Sequence, residues 1–264
     1  MINSVHNPKI QLVRRLQAQS KDRRQEESFV IEGVRLVEEA LQSKWEIRLV
    51  LYSEALSERG LALVDTFAAR DIPAELVSPH VMQAAAHTDT PQGLLAVLAL
   101  KSLPLPDAAD FLLIPDGLRD PGNLGTLLRT AAAAGVQAVL LPPGSADPFA
   151  PKVLRSAMGA HFRLPILSME WTKIQAYLKP PGPAAPAAPF TVYLADAKGE
   201  LAYTQADFRT PAALLIGGEA AGAGSQAAQL ADQRLHIPMP GGMESLNAAV
   251  AAAVLMFEVV RQRS

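Results

Sequence analysis

The chain has 264 residues, of which 49% are hydrophobic and 19% are charged, and its formal net charge is −2. This length and composition predict a soluble globular protein with room for two domains, and the near-neutral charge argues against a general nucleic-acid coat protein. Because the chain has no cysteine, the composition excludes disulfides, thiolate metal sites and a cysteine nucleophile.

Local sequence also argues against a secreted protein, a membrane-spanning protein and a metal-binding protein. The first residues carry no apolar stretch behind a basic head, and the longest apolar run, residues 248–257, is far shorter than a membrane span. The five histidines show no metal-ligand spacing. We therefore expect a cytoplasmic protein with no membrane partner and no metal.

Positive charge is concentrated at the start of the chain. Residues 1–24 contain six basic side chains and a single acidic one, Asp22, so the segment carries a formal charge of +5. Charge alone favours a solvated helix face, but a basic patch on a near-neutral protein is also typical of a selective RNA binder. The six basic residues are Lys9, Arg14, Arg15, Lys21, Arg23 and Arg24.

The predicted elements of residues 1–103 form a small α/β domain. Helical spacing of apolar residues covers Ile10, Val13 and Leu16, then residues 34–41 and 61–69, while strand-like runs occupy residues 47–51, 74–77 and 93–100. Two prolines in residues 102–107 then predict an extended linker.

Residues 107–264 alternate strands and helices, which predicts a parallel sheet with helices on both faces. A proline- and alanine-rich stretch at residues 180–189 is interpreted as a surface loop within this domain. The predicted strands are residues 111–115, 138–141, 164–167, 191–195, 213–216 and 235–237, and the helices are residues 124–134, 152–158, 171–178, 226–232 and a long one from about residue 245.

Three motifs in the second domain place polar residues at strand ends and helix starts, where α/β enzymes keep their sites. In the first, residues 116–129, Asn123 alone is explained as a helix N-cap and Arg129 as a surface arginine. Together, an amide and a guanidinium near a helix N-terminus can bind a phosphate or a ribose.

The second motif, residues 213–225, allows two interpretations. Gly222-Ala-Gly-Ser-Gln-Ala227 fits the dinucleotide fingerprint G-x-G-x-x-A. However, five residues separate the strand end at residue 216 from the first glycine, and the next strand is followed by no acid that would bind a ribose. A nicotinamide-dinucleotide enzyme therefore stays an alternative. The second interpretation depends on a different part of the motif, the glycine pair and the glutamate of Gly217-Gly-Glu219.

The third motif is His236-Ile-Pro-Met-Pro-Gly-Gly-Met-Glu-Ser-Leu-Asn247. A strand, a glycine-rich loop and Ser245 as the cap of an alanine-rich buried helix account for most of it. Capping by Ser245 leaves Asn247 unexplained, since asparagine is a poor helix former and needs hydrogen-bond partners once desolvated.

In order and spacing the three motifs closely resemble those of the SpoU/TrmH family of SPOUT methyltransferases. The departures are Gly218 and Ala220 in the second motif and Pro240 and Met243 in the third. The resemblance implies methylation of an RNA ribose 2′-hydroxyl with S-adenosylmethionine as cofactor, by a SPOUT domain with a C-terminal trefoil knot that works as a homodimer. Residues 29–40 likewise resemble the small α/β RNA-binding domain that many of these enzymes carry.

The resemblance also implies roles for individual residues. The active site would comprise Asn123, Arg129, Glu219, Ser245 and Asn247, and backbone contacts to the cofactor would come from Gly217, Ile237 and Leu246. RNA would be bound by Lys9, Arg14, Arg15, Arg23, Arg24 and Arg155, although Arg155 is explained equally well as part of an exposed helix start. Ribosomal RNA is favoured over transfer RNA as substrate, and a catalytically silent RNA-binding protein is a further alternative.

Overall fold

The computed structural model describes residues 1–180, 189–218 and 222–264, which divide into two compact units. The first unit comprises Met1–Lys101 and Phe149–Phe162, and the second comprises Ser102–Pro148 and Arg163–Ser264. Most of the predicted proline- and alanine-rich loop, residues 181–188, and the candidate residue Glu219 lie outside the described residues. The assignment of residues 1–103 and 107–264 to separate functional domains stays a prediction.

Helices and strands are numbered in chain order. The elements up to residue 101 are α1 (Pro8–Ala18), α2 (Ser20–Gln25), β1 (Ser28–Glu32), α3 (Val34–Gln42), β2 (Ile47–Tyr52), α4 (Glu58–Ala69), β3 (Ala74–Leu76), α5 (Pro79–Ala85) and β4 (Leu94–Ala99). Those that follow are β5 (Phe111–Asp116), α6 (Pro121–Ala133), β6 (Ala138–Leu141), α7 (Pro151–Ala157), β7 (Ile166–Ser168), α8 (Trp171–Leu178), β8 (Thr191–Ala195), β9 (Leu201–Ala202), β10 (Ala212–Gly217), α9 (Ser225–Leu230), β11 (Gln233–His236) and α10 (Ala248–Arg263). Within the described part of the chain, no helix combines the length and apolarity needed to cross a membrane.

The first unit is built on a four-stranded mixed sheet in the order β1-β4-β2-β3. Strands β1 and β2 run antiparallel to β4, and β3 runs parallel to β2. The apolar stripe of α1 packs into the core together with α5, and Ile10, Val13 and Leu16 are fully buried. The helix predicted from the spacing of these three residues is therefore confirmed.

One of the six N-terminal basic residues is structural. Arg23 in α2 is only 4% exposed, and its Nη1 donates to the carbonyl oxygens of Leu16 (2.5 Å) and Gln17 (3.3 Å). These carbonyls belong to the last turn of α1, where helical partners run out. Because a buried guanidinium cannot reach a phosphate, the prediction that Arg23 binds RNA is wrong, whereas the other five basic residues are exposed.

Helix α7 confirms the helix predicted at residues 152–158, but the segment that contains it, Phe149–Phe162, belongs to the first unit rather than to the unit of the parallel sheet expected from its position in the sequence. The reason is aromatic burial. The ring of Phe149 lies 4.9 Å from that of Phe29, and the ring of Phe162 lies 5.3 Å from that of Trp45. In the same unit, Nη1 of Arg155 in α7 lies 3.1 Å from Nδ1 of His87.

The second unit is built on a seven-stranded sheet in the order β7-β6-β5-β10-β8-β11-β9, in which every neighbouring pair is parallel. Helices α8 and α9 pack on the face that carries Leu112, Ile114 and Leu215, and α10 packs against β10 and α6. Because the strands are parallel, the loops that follow β5, β10, β8 and β11 all leave the same edge of the sheet. That edge carries all three motifs.

Candidate active site

Asn123 lies in the first turn of α6 and does not cap it. The N-cap is Asp120, whose Oδ1 accepts a hydrogen bond from the backbone N–H of Asn123 at 2.8 Å. Pro121 follows at the first helical position, where a missing N–H costs nothing and the fixed φ suits a helix. The prediction of Asn123 as the N-cap is therefore wrong by three residues.

Asn247, rather than Ser245, caps α10. Its Oδ1 accepts hydrogen bonds from the backbone N–H groups of Ala249 (3.0 Å) and Val250 (3.2 Å), and its Nδ2 donates to Oδ1 of Asn123 at 3.1 Å. A side-chain amide, unlike a carboxylate, can accept from the helix start and donate outward at the same time. The first and third motifs thus meet through a direct bond between two asparagines.

Arg129 does not join this pair. It lies six residues after Asn123 in α6, which on a regular helix puts the two side chains about 120° apart around the axis and about 9 Å apart along it. Arg129 is exposed, and within the described residues no hydrogen-bond or ion-pair partner is found for it. The guanidinium is therefore available to a ligand, but the predicted joint grip of Asn123 and Arg129 on one group is not favoured by this geometry.

The loop of the second motif is fastened to the end of β5. The carboxylate of Asp116, a residue only 8% exposed, accepts a hydrogen bond from the backbone N–H of Gly224 through Oδ2 at 2.7 Å. Within the loop, Gly222 donates its N–H to the carbonyl oxygen of Gly218 at 3.1 Å. Because the Gly224 N–H is already bonded to Asp116, it is not available to a pyrophosphate, which weakens the dinucleotide interpretation.

Two glycines at the end of β10 have no room for a side chain. A Cβ on Gly217 would lie 2.5 Å from the backbone of Gly222 and Ala223, and a Cβ on Gly218 would lie 2.5 Å from the carbonyl oxygen of Gly117. Both distances are below any real carbon contact. In this backbone, the carbonyl oxygen of Gly117 leaves no room for a side chain at position 218, which explains why the chain departs from the family motif there.

Beside these glycines the second unit contains a cavity of about 650 Å³. It lies beyond the carboxyl ends of β8, β10 and β11, and its last wall is the segment before α10. The three residues expected to contact a cofactor, Gly217, Ile237 and Leu246, all line it. Ser245 and Asn247 line it as well, so the cavity adjoins the asparagine pair.

Sequence reasoning missed the charged wall of the cavity, which is formed by Asp196, Lys198 and Arg234. The one available sign was an aspartate directly after a predicted strand of the parallel sheet. Among the described residues, no group of three or more histidine, aspartate or glutamate side chains is placed to hold a metal ion.

The predicted RNA-binding residues lie in the first unit, whereas the three sequence motifs belong to the second. Lys9 is ion-paired with Glu75, and Arg15 lies 3.4 Å from the Glu26 carboxylate. For Arg14, Lys21 and Arg24, the described residues offer no such partner.

Two different family models match the earlier and the later part of the chain. Residues 110–257 match the family model described as the SpoU rRNA Methylase family, and residues 7–96 match the MRM3-like substrate binding domain. The chain belongs to the SpoU rRNA methylase family. The family predicted from the three motifs is thereby confirmed, together with the α/β fold.

Relatives of this SpoU methylase match along nearly its whole length. The chain is 34% identical over 258 residues to the Bacillus subtilis 23S rRNA (guanosine(2553)-2′-O)-methyltransferase RlmP, covering 98% of each protein. It is 30% identical over 248 residues to a Streptomyces viridochromogenes 23S rRNA (uridine(2479)-2′-O)-methyltransferase, covering 89% of this chain and 83% of the relative.

Among solved structures, the S. viridochromogenes SpoU methyltransferase AviRb in complex with the cofactor AdoMet has a TM-score of 0.87 and 28% identity, covering 98% of each chain. An AdoMet-bound rRNA methyltransferase from Sinorhizobium meliloti has a TM-score of 0.86 and 30% identity, covering 98% of this chain and 97% of that one.

The residues of this SpoU methylase fit S-adenosylmethionine. The cavity volume lies in the usual range for small-molecule sites, and the sheet edge is where α/β folds bind nucleotides. At Gly217 and Gly218 the wall is bare backbone, which leaves peptide groups rather than side chains to face a ligand.

The double role of Asn247 makes a testable prediction. Asn247→Ala should lower the free energy of unfolding by about 1 kcal/mol because the cap of α10 is removed. Asn247→Asp keeps an acceptor for the helix but removes the donor to Asn123, so it should keep most of the stability while impairing the site. Urea unfolding and methyl-transfer assays on both variants check this; equal losses of stability in the two would contradict it.

Proposed function

We propose that this SpoU methylase transfers the methyl group of S-adenosylmethionine to a ribose 2′-hydroxyl of ribosomal RNA. The observation that carries the proposal is the convergence of Gly217, Ile237, Leu246, Ser245 and Asn247 on one cavity, with Asn247 bonded to Asn123. The names of the two 23S rRNA methyltransferases among its relatives support the same activity.

The cofactor, when bound, supplies an electrophilic methyl group, so the chain has to align the attacking oxygen and ease the loss of its proton. Backbone groups at Gly217, Ile237 and Leu246 hold the cofactor. Ser245 and the asparagine pair fix the loop beside it, and Glu219 organises the second motif. The reaction needs neither a metal nor a covalent enzyme intermediate.

Arg129 binds the hydroxyl and the neighbouring phosphate of the target nucleotide. An arginine is a poor base at its ordinary pKa. We therefore assign Arg129 to positioning the nucleotide and stabilising the negative charge that develops on the oxygen, through the bidentate geometry that guanidinium groups offer phosphates.

The target is proposed to be ribosomal rather than transfer RNA, and the match of residues 7–96 to an MRM3-like substrate binding domain supports this choice. The two 23S rRNA relatives are named for different nucleotides, a guanosine and a uridine. Selection of the nucleotide is therefore assigned to the first unit and to its exposed cations, not to the shared cavity.

Location and topology follow from the same proposal. A ribosomal substrate and a chain without cysteine support the cytoplasmic location expected from the sequence.

The trefoil knot implied by the family is supported by the sheet order, in which β10 lies between β5 and β8 while the last helix, α10, packs against α6.

The activity is tested by mapping 2′-O-methyl sites in ribosomal RNA from cells with and without the gene, followed by complementation. One site should disappear on deletion and return with the parent gene. Arg129→Ala should restore less than about a tenth of the methylation, and Arg129→Lys an intermediate level, because lysine keeps the charge but not the bidentate fork. Cofactor affinity, measured by calorimetry, should be unchanged in both. An unaltered methylation map after deletion would contradict the proposal.

RNA binding by the first unit predicts a change in salt dependence. Arg14→Glu with Lys21→Glu should weaken RNA binding and flatten the plot of log affinity against log salt, by roughly 0.7 for each single-strand phosphate that the protein no longer neutralises. Arg35→Glu, an exposed arginine on α3, is the matched control. A salt slope that is the same in the double variant and the parent would show that these charges are only a solvated surface.

A homodimer through α10 is proposed from the exposed apolar stripe of that helix. Val250 and Phe257 are each 50% exposed, and Val254 lies between them on the same side. Such a stripe is typical of the buried centre of a symmetric interface. Light scattering should give twice the chain mass of 28.1 kDa for the parent and for Leu61→Asp, a comparably exposed leucine on α4, but the single-chain mass for Phe257→Asp. A monomeric parent protein would contradict the proposal.

A further inference from the structure

We infer that the charged wall of the cavity, formed by Asp196, Lys198 and Arg234, binds the amino-acid end of the cofactor. Lys198 receives the α-carboxylate and Asp196 receives the α-ammonium group. This inference rests on the proposed function, and it adds residues that determine which adenosine derivatives the cavity retains.

Hydrogen bonds fix the position of Asp196, the acidic residue of the charged wall. The backbone N–H of Asp196 donates to the carbonyl oxygen of Leu235 at 2.9 Å, which fixes the start of the loop after β8. The carboxylate of Asp196 accepts from the Lys198 backbone N–H at 2.9 Å through Oδ1 and from Nη1 of Arg234 at 3.2 Å through Oδ2. Its side chain is 27% exposed, so it still faces the cavity.

The basic side of the wall has one cation that its neighbours do not neutralise. Arg234 is occupied by Asp196, whereas the Lys198 ammonium is exposed and has no hydrogen-bond or ion-pair partner in the described part of the chain. The three side chains together carry one net positive charge. A carboxylate on Lys198 would neutralise it, and charge-assisted hydrogen bonds of this kind are stronger than neutral ones.

The rest of the described cavity lining carries no charge, so the cavity has one charged wall and an uncharged surface around it. Toward α10 and the end of β10 the lining consists of glycine backbone, apolar side chains such as Ile216 and Leu246, and the uncharged polar side chains of Ser245 and Asn247. An adenine ring suits these surfaces, but a zwitterion there would find no opposite charge for either of its groups, which is unfavourable once they leave water. The zwitterionic end therefore belongs at the only charged wall found in the described lining.

Truncation of the ligand provides the test. S-adenosylhomocysteine carries the amino-acid end, and 5′-methylthioadenosine has the same adenosine and sulfur without it. Calorimetry on the full chain should show that Lys198→Gln and Asp196→Asn weaken S-adenosylhomocysteine binding about tenfold or more. Binding of 5′-methylthioadenosine should stay within about twofold of the parent, which also shows that the variant cavities are folded. Lys173→Gln, an exposed lysine of α8 outside the cavity, should change neither.

The outcomes separate this inference from the proposed function. Binding of S-adenosylhomocysteine by the parent protein supports the proposed function whatever the variants do. Equal losses for both ligands would overturn the inference by placing the charged wall beside the adenosine, and no loss for either would overturn it by placing the wall outside the bound ligand. A parent protein that binds neither ligand would overturn the proposed function and the inference with it.

Discussion

The close approach of backbone at the end of β10 is the constraint on which the cavity depends. Gly217 approaches the backbone of Gly222 and Ala223 later in the same loop, and Gly218 approaches the carbonyl oxygen of Gly117, both at distances that no side chain tolerates. This approach folds the second motif back over the sheet edge, and the bond from Gly224 to the buried carboxylate of Asp116 keeps it there. An exposed ion pair in the same place would contribute little, whereas a charge-assisted bond to a buried carboxylate is costly to break.

The asparagine pair, Asn123 and Asn247, fixes the start of the long C-terminal helix α10. Asn247 uses its carbonyl oxygen at the start of α10 and its amino group on Asn123. The position of α10 and the loop before it is therefore set by α6, against which the helix also packs. A ligand that binds beside Leu246 and Ser245 would therefore affect both helices, because Asn247, which is hydrogen-bonded to Asn123 of α6, also lines the cavity.

Much of this arrangement could be predicted from sequence because the strongest patterns were local. Strands such as β5 and β10, whose residues are apolar up to the strand end, and the stripe of α1 are recognised from their hydrophobic pattern alone, and the three motifs identified the family. Helix starts were less accurate. Ser245 and Asn123 both have good N-cap chemistry, and the choice of Asn247 and Asp120 instead depends on where the backbone of distant loops lies.

Long-range contacts were the part that local patterns could not reveal. Arg23 was grouped with its exposed neighbours because sequence shows charge but not the two carbonyl oxygens at the end of α1 that bury it. The wall of Asp196, Lys198 and Arg234 is assembled from the loop after β8 and from β11, which is far along the chain but pairs with β8 in the sheet. The place of α7 was missed for the same reason, since the aromatic partners of its segment, Phe29 and Trp45, lie far earlier in the chain.

The return of Phe149–Phe162 to the first unit has a consequence for synthesis of the chain. The aromatic cluster of that unit joins Phe29 and Trp45 to Phe149 and Phe162, so its core stays incomplete until residue 162 has left the ribosome. By then β5, α6 and β6 of the second unit have also emerged. The first unit therefore cannot complete its core before part of the second has been synthesised, and a fragment that ends at residue 101 would leave Phe29 and Trp45 without two of their aromatic partners.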